Sequence, residues 1–450
     1  MRSMLIKHAE INGQQFGDLL VRDGVVAEVG TGLQADVPVT LDAQGGAVLP
    51  GLHDHHLHFF ALAAARNSVD CHGLNAAGIA QSVLQHPGSG WLRGVGYHEA
   101  DAGELDRHRL TELCPERPFR LQHSSGKMWV LNNLACAQLP LEHALDGIER
   151  DMQGVPTGRL FRLDDWLAQQ LAGQTVDASQ VIDELYSHGL TGFTDTSFTN
   201  DSAQVQVLQQ LPLDIYCMGD ASLATGHLKI MLDDDRLPDI TQTIDQVKTA
   251  HQAGRPVAFH CVSYVELLYL LEVMEQAGTV TGDRIEHGGV IPHEVVARIK
   301  ALELTVVTQP GFLAVRGGRF LDHSDPDHRG DLYPFKRLLD AQIGVVASSD
   351  APYGPVNPWA VMAAAVSRRT EDNRIANPLE QVSAEAALHG YLTHALDPAG
   401  PRRRIAPGMP ANLCVLQTPL ADQLAQLHPY PVLHTVFQGQ LVYSRVSSNS

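Results

Sequence analysis

Positive charge is scarce in these 450 residues: 32 Lys and Arg stand against 51 Asp and Glu, a formal charge of −19 with histidine neutral. Neutralising a phosphate backbone takes clustered cations, so this balance excludes nucleic acid as a partner. Long apolar runs are missing too. No window approaches the roughly 18 uninterrupted apolar residues of a membrane-spanning helix, so no membrane partner is expected. Cysteine is sparse: Cys71, Cys114, Cys136, Cys217, Cys261 and Cys414 are scattered and form no CxxC pair. A disulfide-dense secreted scaffold is thereby excluded, and reduced thiols are the better reading. The N-terminal MRSMLIKHAEINGQQ reaches polar residues almost at once, which is no signal-peptide core, so a cytoplasmic protein is expected. Charged residues make up only 18% of the chain against 44% hydrophobic, which excludes disorder and allows a sizeable core. What is plentiful is histidine, with 23 copies against 10 Tyr and 12 Phe. Histidine titrates near neutrality and is the commonest metal ligand, so its placement decides the reading.

The two ends of the chain share a texture. MLIKHAEI, GDLLVRDGVVAEVG and VPVTLDAQGGAVLPG near the start, and ANLCVLQ and VLHTVFQGQLVYSR near the end, are short strands bounded by turn residues. Residues 1–50 and 400–450 are therefore expected to form one small β-sandwich. Between them, residues 51–399 alternate short apolar strands with amphipathic helical runs, as a parallel βα fold requires. Eight strand candidates can be counted: GGAVLPGLHDHHLH, LTGFTDTSF, LDIYCMGD, GHLKIML, RPVAFHCV, DRIEHGGVI, LTVVTQP and IGVVASSD. The expected architecture is an α/β protein, a (β/α)8 TIM barrel with the sandwich attached. A long insertion, about 70–174 and roughly Asp70 to Gln174, carries its own strands WLRGVGY and RPFRLQHSS. Such βα insertions in barrels sit over the catalytic mouth.

The strand ends carry the chemistry. The first ends HDHHLH, and alternation places His56 and His58 on one face with Asp54. Their Cα atoms are then roughly 6.6 Å apart, from which two imidazoles can reach one ion at about 2.0–2.1 Å. His53 and His55 form a rival pair on the opposite face, and spacing alone leaves the choice open. The fourth strand, GHLKIML, places Lys229 inside an apolar run, where an ammonium facing a metal would repel it. Such a lysine must be neutral, displaced or converted to an anion. The fifth strand ends with His260, the sixth with His287 and the eighth with Asp350. Each alone reads as a buried histidine bonded to backbone or an aspartate capping a turn. Together they gather where barrel active sites form, and they point to a metal.

At these residues the sequence resembles the amidohydrolase superfamily of metal-dependent hydrolases. PGLHDHHLH, Pro50 to His58, is similar to that family's first-strand motif Pro-Gly-x-x-Asp-x-His-x-His, which aligns His56 and His58 with the ligands. Lys229 falls where the family carries a lysine carboxylated by CO2 into a metal-bridging anion, His260 and His287 at the fifth- and sixth-strand ligands, and Asp350 at the eighth-strand aspartate. VTQPGFL, SSDAPYGP, SAEAALHGYLTHA, RPFRLQHSSGKMWVLNN and GVPTGRLFR resemble the subgroup of N-substituted formamide deformylase and YtcJ-like proteins. IAPGMPANLCVL resembles the family's return strand, with Asn412 where an Asp is usual, and Ser125 and Lys127 replace a common Asp and His around Gly126.

The resemblance implies hydrolysis by a metal-activated hydroxide, with one or two divalent ions, zinc being the expected metal. His56, His58 and Asp350 would hold the buried ion, His260 and His287 the exposed one, and carboxylated Lys229 would bridge them. Asp350 would be the catalytic acid–base. The expected substrate is a small molecule with a C–N bond to cleave: an N-acyl or N-formyl amine, or a cyclic amide. A lactonase or esterase using the same metals is the alternative. A heterocycle deaminase is the other, although the nearest acid after His260 is Glu266, six residues on. Candidate substrate contacts are Gln309, Tyr97, His98, Trp129 and Tyr353, with Trp359 in the same Pro-rich loop as Tyr353. A homodimer is the default oligomer.

Overall fold

The computed structural model describes residues 2–142, 146–171 and 178–445. The expected insertion end at Gln174 and the last residues of the C-terminal segment, 446–450, lie outside the described residues. The chain divides into two compact units, Met1–Leu62 with Ser179–Ser450, and Ala63–Ala178.

The first unit holds eight strands that pair in parallel: β1 (Leu52–Leu57), β2 (Leu190–Asp195), β3 (Asp214–Cys217), β4 (Leu228–Ile230), β5 (Val257–Cys261), β6 (Arg284–His287), β7 (Thr305–Thr308) and β8 (Val345–Ala347). Each of the eight candidate segments contains one of them. In β1, β2, β4, β6 and β8 every residue is buried, so their polar residues, such as His56, Asp195, Lys229 and Glu286, lie in the interior with the apolar ones. β1 to β3 form one sheet in the order β3-β2-β1, and β4 to β8 form a second in sequence order. Parallel bridges join the two sheets at both seams, Gly219 with Leu228 and Leu57 with Ala351. The Lys229 amide donates to the Gly219 carbonyl (2.9 Å), and the Asp350 amide donates to the His56 carbonyl (2.8 Å). The seams therefore fix the strand ends that bear the polar residues.

Helices cover these strands closely. In the helix Ala384–Tyr391, a Cβ on Gly390 would stand 2.6 Å from Val346 Cβ, so only glycine fits between helix and β8. The helices Ile240–Gln252 and Tyr264–Ala277 start at Asp239 and Ser263, whose side chains accept the free amides of the first turn. Glu266 completes that second cap by accepting from the Val262 and Ser263 amides. Its carboxylate is thus committed to the helix start, not to chemistry beside His260.

Strands from both termini share a second, mostly antiparallel sheet. Leu413–Leu416 pairs with Ala47–Pro50, and Ala47–Pro50 pairs with Met4–Ile11. Ile6, Leu19, Val21, Leu413 and Val415 lie in its common core. A bridge between Val25 and Pro410 brings the edge strand Val25–Gly30 back to the C-terminal segment. Asn412 joins this sheet to the parallel strands: its Nδ2 donates to Asp214 Oδ2 (2.6 Å) and its Oδ1 accepts from the Gln438 amide (2.7 Å). An aspartate here would set two carboxylates against each other, which explains why this chain has an asparagine.

The second unit is built on a six-stranded mixed sheet running from Ile148–Arg150 to Ser68–Asp70. Its cores take up two expected substrate contacts. Tyr97 is buried with Leu110 and Phe119, and its hydroxyl donates to the Gly103 carbonyl (2.8 Å). Trp129 is buried with Leu131 and Leu160, and the guanidinium groups of Arg93 and Arg120 stack over its ring. Both pack in these cores, Tyr97 from the end of the strand Leu92–Tyr97 and Trp129 from within the strand Met128–Leu131. His98 caps the helix Glu99–Ala102, its Nδ1 accepting from the Ala100 amide (3.1 Å).

Candidate metal centre

His56, His58, Lys229, His260, His287 and Asp350 line one cavity of about 590 Å³ at the C-terminal ends of the parallel strands. Two of the six stand where the backbone leaves the sheet with positive φ, His287 at 71° and Asp350 at 51°. Non-glycine residues adopt this region at a cost, and such conformations gather at functional sites.

His56 is fully buried between two carboxylates. Its Nδ1 lies 2.5 Å from Glu286 Oε2, and its Nε2 lies 3.3 Å from Asp350 Oδ1. Burial pushes the Glu286 carboxyl up, but Arg284, Lys229 and His56 outweigh it and hold the group well below the usual range. Glu286 is therefore ionised, so Nδ1 must donate and Nε2 faces the cavity. An outer carboxylate that fixes a histidine's tautomer is the usual support of a metal ligand. Burial alone would lower the His56 pKa; Asp350 and Glu286 raise it. The site is thus a place of negative potential that favours a cation.

His58 places Nε2 3.1 Å from the same Asp350 Oδ1, while its Nδ1 meets Ser197 Oγ at 3.0 Å. Asp350 is pushed up by burial, yet His56, His58 and His287 hold it well below the usual carboxylate range. On the other side, His287 Nε2 lies 2.9 Å from His260 Nδ1. Burial is the main cause that takes His260 down to about 4 and His287 well below its usual value. Both imidazoles are neutral at pH 7, as ligands must be. Lys229 is buried, and burial lowers its amine to about 8, with Glu286 and Asp350 opposing.

Gln309 was expected at the mouth and is instead fully buried. Its Oε1 accepts from His287 Nδ1 (2.8 Å), and its Nε2 donates to Ser348 Oγ (3.0 Å) and the Val307 carbonyl (3.2 Å). It orients a histidine, because the neighbouring strand places that ring within its reach. Trp359 is also fully buried, its indole donating to the His188 carbonyl (3.2 Å). Tyr353 does line the cavity, with its ring 5.6 Å from that of His58. His53 and His55 point away: His53 meets Thr194 Oγ1 (3.0 Å), and His55 meets the Gly390 carbonyl (2.9 Å) and Thr393 Oγ1 (3.0 Å). Sequence reasoning missed Glu286 and Arg284. Their signal was an acid and a base two apart inside a strand too apolar to leave either in water.

A metal fits this donor set. His56, His58 and Asp350 each offer a ligand atom, all within 4.8 Å of one another. His56 Nε2, Asp350 Oδ1 and Lys229 Nζ are buried and make no hydrogen bond. Buried polar atoms are mostly satisfied, so three that converge on one cavity suit a bound cation. Imidazole and carboxylate are ligands for zinc and its neighbours.

Parallel strands whose C-terminal ends carry such a cluster define a metal-dependent hydrolase. The amidohydrolase family model matches residues 39–443, and the chain belongs to that family. Its subgroup is that of the YtcJ-like and formamide deformylase-like proteins. It is 28% identical to the N-substituted formamide deformylase of Arthrobacter pascens over 100% of this chain and 99% of the relative. It is 24% identical to the putative amidohydrolase YtcJ of Bacillus subtilis (strain 168), over 96% of this chain and 97% of that one. Among solved structures, a metal-dependent hydrolase from Pyrococcus horikoshii OT3 superposes with a TM-score of 0.74 at 19% identity, covering 95% of this chain and 100% of that one. No helix among the described residues is long and apolar enough to cross a membrane.

Proposed function

We propose that this chain cleaves the C–N bond of an N-acyl or N-formyl amine, or of a cyclic amide, by metal-dependent hydrolysis. The observation that carries the reading is the meeting of six ligand-type side chains, from five different strands, in one cavity. The bridges at both seams support a closed (β/α)8 TIM barrel over residues 51–399, interrupted by an insertion at about 70–174. The folded-back terminal sheet supports a β-sandwich of residues 1–50 and 400–450.

His56, His58 and Asp350 would hold one divalent ion, and His260 and His287 a second, with Lys229 between them. Bound there, zinc supplies Lewis acidity that polarises a carbonyl and makes water more acidic. Lys229 prepares the centre itself. An amine brought down to about 8 is in part neutral at pH 7. Its nitrogen lone pair bonds CO2 and one proton leaves, giving a carbamate anion where an ammonium would repel cations.

Asp350 is the catalytic residue. Its ionised carboxylate takes a proton from the attacking water as the water oxygen bonds the carbonyl carbon. The C–N bond then breaks, and the carboxyl returns the proton to the leaving nitrogen. An amine leaves poorly unless it is protonated, so the shuttle matters most for amides. Glu286 keeps His56 oriented, and Gln309 does the same for His287. Phe60, Phe198, Phe312 and Phe320 line the cavity and give it an apolar wall.

Zinc-loaded enzyme should be assayed against formamides, N-acyl amino acids, cyclic imides and lactones. Amide cleavage with release of amine and carboxylate is expected. Rapid lactone turnover without any amide cleavage would overturn the C–N assignment.

A further inference from the structure

Several arginines of this unit form ion pairs. Arg284 pairs with Glu286, Arg337 with Asp331 and Glu380, and Arg374 with Asp322 and Asp372. Among the described residues Arg316 forms no ion pair, and neither do Arg255, Arg368 and Arg403; those three give their guanidinium donors to several backbone carbonyls each, whereas Arg316 lines the same cavity as the metal centre. In a chain with 51 acids and 32 Lys plus Arg, a cation left unpaired beside a cavity needs a reason.

The guanidinium is held in place without being neutralised. It stacks 4.1 Å over the Phe312 ring, and Phe312 in turn faces the His287 ring at 6.5 Å. Arg316 Nη2 donates to the Tyr353 carbonyl (2.8 Å), and the Tyr353 ring adjoins His58. Arg316 Nε is buried and donates to nothing. Two aromatic residues therefore connect this cation to ligands on both sides of the metal centre. The helix Gly311–His323 breaks its helical geometry at Arg316, followed by Gly317 and Gly318, the residues least suited to continue a helix.

Resting on the C–N hydrolase reading above, we propose that Arg316 anchors a carboxylate of the substrate, which is an N-acyl or N-formyl amino acid rather than a simple amide. A guanidinium presents its donors as a planar fork that matches a carboxylate, and aromatic walls strengthen that pairing by excluding water. One guanidinium suits one carboxylate. The apolar remainder of the cavity, including Phe60, Phe198 and Met231, suits a hydrophobic side chain or acyl chain.

Binding tests this directly, separately from turnover. N-formylphenylalanine and N-formylphenethylamine differ only in the carboxylate. Their affinities should be measured by calorimetry on Asp350→Asn protein incubated with zinc, with metal content checked beside the wild type and turnover expected to be slowed about a hundredfold or more. The carboxylate ligand should bind about tenfold to a hundredfold tighter. Adding Arg316→Gln should collapse that ratio to about one, and Arg316→Lys should leave an intermediate ratio. Equal affinities in the parent, or a preference that survives both substitutions, would overturn the proposal. Should the preference hold while wild-type enzyme hydrolyses no amide, the carboxylate anchor stands and the C–N reading is what fails.

Discussion

The parallel strands have a cavity at each end, and the larger one is not where the candidate metal ligands meet. The cavity at their N-terminal ends measures about 660 Å³ against about 590 Å³ at the C-terminal ends. It too is lined by ionisable residues, among them His53, Asp214 and Arg403. There, however, the polar atoms have partners within the protein. Asp214 is bonded by Asn412, His53 meets Thr194, and Arg403 donates to the carbonyls of Thr393, Gly51 and Tyr391. At the other end, His56 Nε2, Lys229 Nζ and Asp350 Oδ1 make no hydrogen bond, and the imidazoles of His56 and His58 converge on Asp350 Oδ1 at 3.3 and 3.1 Å. Volume is therefore a poor guide to function in this fold. Polar groups that converge and stay unsatisfied mark where a ligand belongs.

The sharpest way to separate the two ends is to remove the proton shuttle. Asp350→Asn should lower kcat by about a hundredfold to ten-thousandfold, measured on protein whose circular dichroism matches the parent. Next comes the support of the site. Arg284→Met would leave Glu286 buried without its main counter-charge, and chemical denaturation should show a loss of about 3–5 kcal/mol. The smallest effect belongs to the other end. Asn412→Ala removes hydrogen bonds to Asp214 and the Gln438 amide, and should cost about 1–3 kcal/mol while leaving kcat unchanged. A large fall in kcat from Asn412→Ala would break the comparison.

Much of the arrangement could be read from one chain. Apolar runs ending in His58, His260, His287 or Asp350 stand out because a buried strand has little other use for such residues. The strand-end rule misled at Gln309, and loop position misled at Trp359, which stands in the helix Pro358–Ser367. What either side chain meets depends on the neighbouring elements, and that pairing is invisible in sequence. Gln309 meets His287, and Trp359 meets the His188 carbonyl. Glu286 was hidden for a similar reason, since its partner His56 lies 230 residues away. Tyr97 and Trp129 were drawn toward substrate by position in an insertion, yet each had a nearer apolar core to fill. Arg316 was overlooked because a single arginine after the apolar run GFLAV carries no spacing signal, and only coordinates reveal that it lines the cavity and lacks an acid.

Metal content tests the whole account most directly. Protein purified without chelator should carry one to two equivalents of zinc or a similar divalent ion by plasma mass spectrometry. The His56→Ala/His58→Ala double variant should lose metal and activity together. Full hydrolytic activity in metal-free protein, or undiminished metal in the double variant, would contradict it.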